Sequence, residues 1–297
     1  MEAEEHYTRR PVPFEEIVEE LRRFSDRLRL YGIRERGRLG EYRRHIESMI
    51  AAKSPLEKTT LFDRLTERDR YSLGIGITEA AELSEVSANL THADWSCEHL
   101  RERLKLVVGG PIHPLLESDG THQARSAAFE LAVATKLKRA GLFPRFAVNP
   151  DLSVEFQGTT LLIQCKRPLS RKKVKPNLDR ARRQLRQDFF ERSPESTVGI
   201  IALSLSRTLL SEISPAIGPF YLAPTVSAAD KFLGNIILEE AAAHVEEQTK
   251  RESCSGIVFH LTAPFYIEED RGYTWRTRII VGAGTKAEIL EPFANLL

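Results

Sequence analysis

The order of hydrophobic periods after residue 120 constrains this chain most. His122 to Arg139 is one helical stretch rich in Ala, Leu and Val, with Gly141 placed to cap its end. Short β-type runs follow at Arg145 to Val148, Leu152 to Phe156 and Thr160 to Cys165. A second helix is expected from about Asn177 to Glu191, and Val198 to Leu205 (VGIIALSL) reads as a buried strand. Ala228 to Gln248 is another helix, with further strands at Gly256 to Leu261 and Thr274 to Val281. Helix, three strands, helix, strand makes an α/β core.

The first 110 residues read as helical. Phe14, Ile17, Val18, Leu21, Phe24 and Leu28 have helical spacing behind Pro13, and further helices are expected at Glu41 to Ala52 and Thr78 to Leu90. The breaker cluster from Val107 to Pro114 divides an α-helical region, 1–110, from an α/β region, 111–297. With 41% hydrophobic and 29% charged residues, the composition excludes a largely disordered chain. No apolar run approaches a membrane span and the first residues hold no apolar signal segment. Three cysteines are too few for a disulfide framework, so a cytoplasmic protein with no membrane partner is expected.

Three places in residues 121–166 break their local pattern together. Glu130 lies inside SAAFELAVATKL, on or beside the apolar face, where a carboxylate costs free energy unless paired, hydrated or bound to a metal. Asp151 follows Pro150 at a strand start, which alone is ordinary turn chemistry. Gln164 and Lys166 share one face of their strand, while Cys165 points with Leu161 and Ile163 and reads as a small core residue.

A two-residue turn at Gln157-Gly158 sets Asp151 opposite Gln164. A two-residue turn at Gly158-Thr159 sets it opposite Lys166. Both registers place the three side chains on one face with opposed Cβ atoms about 5 Å apart, whereas a three-residue loop flips the parity. An acid, an amide oxygen and an ammonium at one strand end suit a hard cation such as Mg²⁺. Asp151 is the expected anchor ligand, with the Gln164 side-chain oxygen or the Cys165 backbone carbonyl as a second and Glu130 acting through a water. Lys166 would orient or deprotonate the attacking water, or stabilise charge on a phosphate. Such a site hydrolyses phosphodiesters.

Glu130, the Pro150-Asp151 pair and Gln164-Cys165-Lys166 resemble, in that order, the PD-(D/E)XK nuclease superfamily, over about residues 121–205. The resemblance implies a restriction-endonuclease-like mixed sheet flanked by helices. It also implies a metal-dependent nuclease using Mg²⁺ or Mn²⁺, expected to be a DNA endonuclease with RNA as the alternative substrate, and restriction or defence as the role by analogy. Gln164 stands where the family usually has an acid, and Glu155, on the face of Asp151, is a weaker substitute. An inactive nuclease fold that binds DNA or a protein is the competing expectation. The resemblance also draws attention to Gln184, a polar residue bordering the Leu178, Ala181, Leu185 and Phe189 stripe of the second helix.

Residues 163–192 hold eleven Lys or Arg against three acids, a net +8 in a chain of total +1. Arg167, Arg171, Lys172, Lys173, Lys175, Arg182 and Arg183 are therefore expected to bind a phosphate backbone. The N-terminal helices are expected to serve recognition, dimerisation or a protein partner. His92, Asp94, Cys97 and His99 lack the second pair a zinc site needs and read as a helix start. Gly74-Ile75-Gly76 lacks the context of a phosphate loop. His113 and His122 lie near enough to the boundary to approach a substrate, and Trp275 with Ile279-Ile280-Val281 is expected in the core.

Overall fold

The computed structural model describes residues 14–35, 37–51, 66–91, 94, 96–111, 116–118, 121–147, 150–190, 196–210, 220–249, 256–269, 272–283 and 287–294. Helices α1 (Phe14–Leu30), α2 (Arg38–Ala51), α3 (Glu67–Asn89) and α4 (Glu98–Val107) come first. α1 buries Ile17, Val18, Leu21, Phe24 and Leu28, the apolar face read from spacing. α2 crosses α3 closely at Gly76, where a Cβ would meet the Tyr42 ring at 3.0 Å. Gly76 therefore serves helix packing.

Helix α5 (Gln123–Arg139) is apolar almost all round because it is covered on two sides. Ala127, Ala128 and Leu131 join one cluster with α1 to α4. Phe129, Val133, Ala134 and Leu137 join another with the sheet. The segment from Val107 ends α4, and beyond it α5 packs back against α3 and α4. The amides of Gly141 and Leu142 bond back to the carbonyls of Lys138 and Leu137, closing α5 as a Schellman motif.

The sheet has seven strands: β1 (Arg145–Phe146), β2 (Leu152–Phe156), β3 (Thr159–Lys166), β4 (Thr197–Ser204), β5 (Tyr221–Ala223), β6 (Gly256–Ile267) and β7 (Gly272–Ala283). Their order is β1-β2-β3-β4-β6-β5, with β7 on the other edge of β6. β2 and β3 form an antiparallel hairpin, while β3, β4, β6 and β5 run parallel. Between them run α6 (Val174–Phe190), the short α7 (Ser206–Leu210) and α8 (Val226–Thr249), with α9 (Ala287–Ala294) at the end. α6 begins earlier than the periodicity suggested because Pro176 falls in its first turn, where a missing N–H costs nothing.

α5 and α9 cover one face of the sheet, over Leu161, Ile163, Cys165, Val198 and Ile200. α6 and α8 cover the other, over Leu162, Ile201, Leu203, Ile257 and Phe259. The result is an α/β mixed sheet flanked by helices, with a helical N-terminal region. Among the described residues no helix is long and apolar enough to cross a membrane. Ile279 to Val281 and Trp275 lie in β7, but their side chains are outside the described ones.

Candidate active site

The hairpin turn decides what meets at the end of β3. Gln157 and Gly158 both have positive φ, 49° and 77°, the signature of a two-residue primed turn. The ladder pairs Phe156 with Thr159 and Leu152 with Ile163, so Asp151 lies opposite Gln164. β2 begins at Leu152, two residues past the position opposite Cys165, and Asp151 Oδ2 accepts the Cys165 N–H at 2.8 Å. Lys166 Nζ stands 3.6 Å from the same oxygen and donates to Gln164 Oε1 at 3.1 Å. Gln164 is fully buried, and its Nε2 is a buried donor without a hydrogen-bond partner.

Glu130 arrives from α5. Burial, and then the neighbouring Asp151 carboxylate, push it from an ordinary value of 4.5 to about 7. Its Oε2 accepts from Arg103 Nε at 2.9 Å, and Arg103 Nη2 donates to the Ala147 carbonyl at 2.6 Å. Arg103 belongs to α4, so the N-terminal helical region supplies a group to this cluster. The side chains of Arg103, Glu130, Asp151 and Lys166 are all 12–14% exposed, which leaves a narrow opening to water. The Cys165 thiol, on the α5 face, is pushed well up by burial and by Asp151 and Glu130.

These groups make an oxygen-rich cluster with one ammonium and one guanidinium. Two carboxylates that repel one another, an amide oxygen and a strand-end backbone fit a hard divalent cation. The donor set is lean in charge: among the described residues, no three His, Cys, Asp or Glu side chains form a metal-holding group. Glu155 does not join it. It is exposed near the turn and accepts from Thr160 Oγ1 at 2.9 Å, because four residues along a strand carry it away from Asp151. Gln184 is half-buried on α6, its Oε1 buried and without a hydrogen-bond partner, and none of its hydrogen bonds joins it to the cluster.

The basic run divides in two. Lys172, Lys173, Lys175 and Arg183 are exposed, as is Arg171, which pairs with Glu240 at 3.0 Å. Arg167 and Arg182 are corrections: both are buried and cannot lie along a phosphate backbone as expected. Arg182 sits on the apolar stripe of α6, between Leu178 and Leu185, and pairs with Asp179 at 2.8 Å. Arg167 follows Lys166, but its guanidinium meets Glu117 at 2.8 Å and Glu79 at 3.8 Å.

Those two glutamates anchor a second charged cluster. Arg125, 1% exposed, bonds Glu79 through Nε, the Tyr42 hydroxyl at 2.9 Å and the Pro111 carbonyl at 3.0 Å. Its Nη1 lies 3.2 Å from Glu117, which also accepts from Arg207 of α7. Burial pushes Glu79 up, but Arg125, Arg38 and Arg167 together hold it below the usual carboxylate range. A cavity of about 20 Å³, room for one water, is lined by Thr78, Glu79, Glu82, Arg125, Arg167 and Thr262, among others.

Arg103, Arg125, Glu79 and Glu117 were not singled out from sequence. Arg103 and Arg125 did carry a signal: Arg103 falls three residues after Leu100 and four before Val107, and Arg125 precedes Ala128 and Phe129 by three and four. The Asp94 segment is a helix start. Asp94 accepts from Thr91 N–H at 2.6 Å and pairs with Lys138, and Cys97 stands at the N-terminal boundary of α4 without a side-chain capping bond. His122 lies near the Ser118 carbonyl at 3.3 Å, whereas His92 and His113 lie outside the described residues. Comparison with family models, curated proteins and solved structures found no match.

Proposed function

We propose that this chain is a metal-dependent nuclease with a restriction-endonuclease-like core, cleaving DNA in preference to RNA. The observation that carries this reading is the meeting of Asp151, Gln164, Cys165 N–H and Lys166 at the end of β3, with Glu130 close enough to repel Asp151. Asp151, the Gln164 Oε1 and the Cys165 carbonyl would hold Mg²⁺ or Mn²⁺, with Glu130 acting through a water. The ion would supply Lewis-acid polarisation of a phosphoryl oxygen and a more acidic water. Lys166, already oriented by Gln164 and Asp151, donates to the attacking water or to the phosphate oxygen that gains charge. Lys172 and Lys173 lie in the 3-10 turn that leads from β3 into α6, Lys175 lies in the first turn of α6, and they attract the flanking phosphates. A role in restriction or defence follows the same analogy.

Gln164 favours a second reading, a nuclease fold that binds nucleic acid without cutting, because a neutral side chain stands where a carboxylate would strengthen the metal site. One experiment separates the two. The purified chain is incubated with plasmid DNA, linear DNA and RNA, with Mg²⁺ or Mn²⁺. Metal-dependent cleavage is expected, falling by roughly 10²–10⁴-fold in Asp151→Ala and Lys166→Ala. Cleavage unchanged in both variants rejects the site. Salt-sensitive binding without cleavage under either metal selects the binding module.

A further inference from the structure

We propose that the candidate site takes up its divalent cation and its phosphodiester together, because the protein's own cations already neutralise its carboxylates. The inference rests on the nuclease reading and concerns the order of events at that site.

Two carboxylates meet there, and each already has a fixed positive partner. Glu130 is bonded to Arg103 at 2.9 Å, and Asp151 faces Lys166 at 3.6 Å. Gln164 adds an oxygen but no charge. Glu155, the nearest acid along the hairpin, is exposed and bonded to Thr160. The cluster therefore has no net negative charge of its own. Hard-cation affinity follows the charge of the ligand set. All four charged side chains are 12–14% exposed, so water screens them little and the missing charge weighs more than it would on a surface.

Arg103 is held in place twice, by Glu130 and by the Ala147 carbonyl. Its charge is thus a fixed part of the site, delivered by the N-terminal helical region. A phosphodiester brings the missing negative charge and a further hard oxygen. Exposed Lys172, Lys173 and Lys175 bring such groups near. Cation and nucleic acid then raise each other's affinity by the same factor.

The test is Mn²⁺ binding by the full chain, read by electron paramagnetic resonance with and without a phosphorothioate DNA duplex. Asp151→Asn serves as background for Mn²⁺ held by the duplex itself. Wild type is expected to bind Mn²⁺ at least about ten-fold more tightly with the duplex than alone. Gln164→Glu adds the absent charge, so it should bind Mn²⁺ about ten-fold more tightly than wild type without the duplex, and depend on the duplex less. Equal wild-type affinity with and without duplex overturns the inference while leaving the nuclease reading in place. So does a folded Gln164→Glu chain that gains nothing. Wild-type Mn²⁺ binding that never rises above the Asp151→Asn background, with or without the duplex, rejects the site itself.

Discussion

Lys166 and Arg167 are neighbours in the chain and end in opposite surroundings. Lys166 joins two carboxylates and an amide in a cluster that opens to water, with Gln164 Nε2 left unpaired. Arg167 joins Glu79, Glu117, Arg125 and Tyr42, a network sealed between α2, α3, α5 and the end of β3. Both clusters set carboxylates against basic side chains. In the second, Glu79 and Glu117 each face at least two guanidinium groups, and the space beside them holds about one water. In the first, the pairing is partial and the strain of two close carboxylates remains. Buried charge serves structure where it is saturated and chemistry where it is not.

Breaking the sealed network should have the largest effect on the fold. Arg125→Met strands Glu79 and Glu117 in the interior and is expected to cost about 3–5 kcal/mol of stability, read from urea unfolding. Lys166→Met, by contrast, leaves a cluster that still reaches water and should cost less than Arg125→Met by about 2 kcal/mol. Equal losses for both would erase the distinction between the clusters.

Glu82 gives the next largest effect. It lines the cavity and accepts from Thr262 at 3.1 Å. Burial first, and then Glu79, raise it from 4.5 to about 7. The folded chain therefore keeps a proton that the unfolded chain releases. No cost is present below pH 4.5; it grows from there to about pH 7 and is fully present above. At about 1.4 kcal/mol per pH unit, discounted for a side chain 21% exposed, the cost is about 2 kcal/mol. Glu82→Gln should flatten that slope and be the more stable chain at pH 8, measured by denaturation across pH 4–9.

The exposed half of the basic run should give the smallest effect. Lys173→Ala should change stability by less than about 0.5 kcal/mol and lower the salt dependence of DNA binding by about one unit of slope. Arg182→Ala should do the reverse, destabilising the fold and leaving the slope alone.

The sequence made the elements legible because period is local. The strand at Leu152 to Phe156 falls where its alternation placed it, and the helices at Phe14 and His122 differ by a residue at most. That Asp151 shares a face with Gln164 and Lys166 was legible too, since a two-residue turn fixes parity, but which of the two stands opposite it was set only by the turn's position. Partner identity was not. Arg103 and Glu130 stand 27 residues apart, and no local pattern says which carboxylate a guanidinium on an apolar stripe will find. Arg167 and Arg182 failed for a related reason. A charge run is read as one solvated face, but a helix and a strand end turn single members of it inward.

β3 is buried on both faces along nearly its whole length, so its apolar residues do not distinguish one face from the other. A slip of one residue would exchange two hydrophobic layers of similar character, and the core itself would object little. What tells the faces apart is the left-handed pair at Gln157 and Gly158. The turn thus holds positional information that the strand lacks. It decides that Leu162 packs toward α6 while Ile163 and Cys165 pack toward α5, and it does so from the far end of the hairpin, about 20 Å from the strand end.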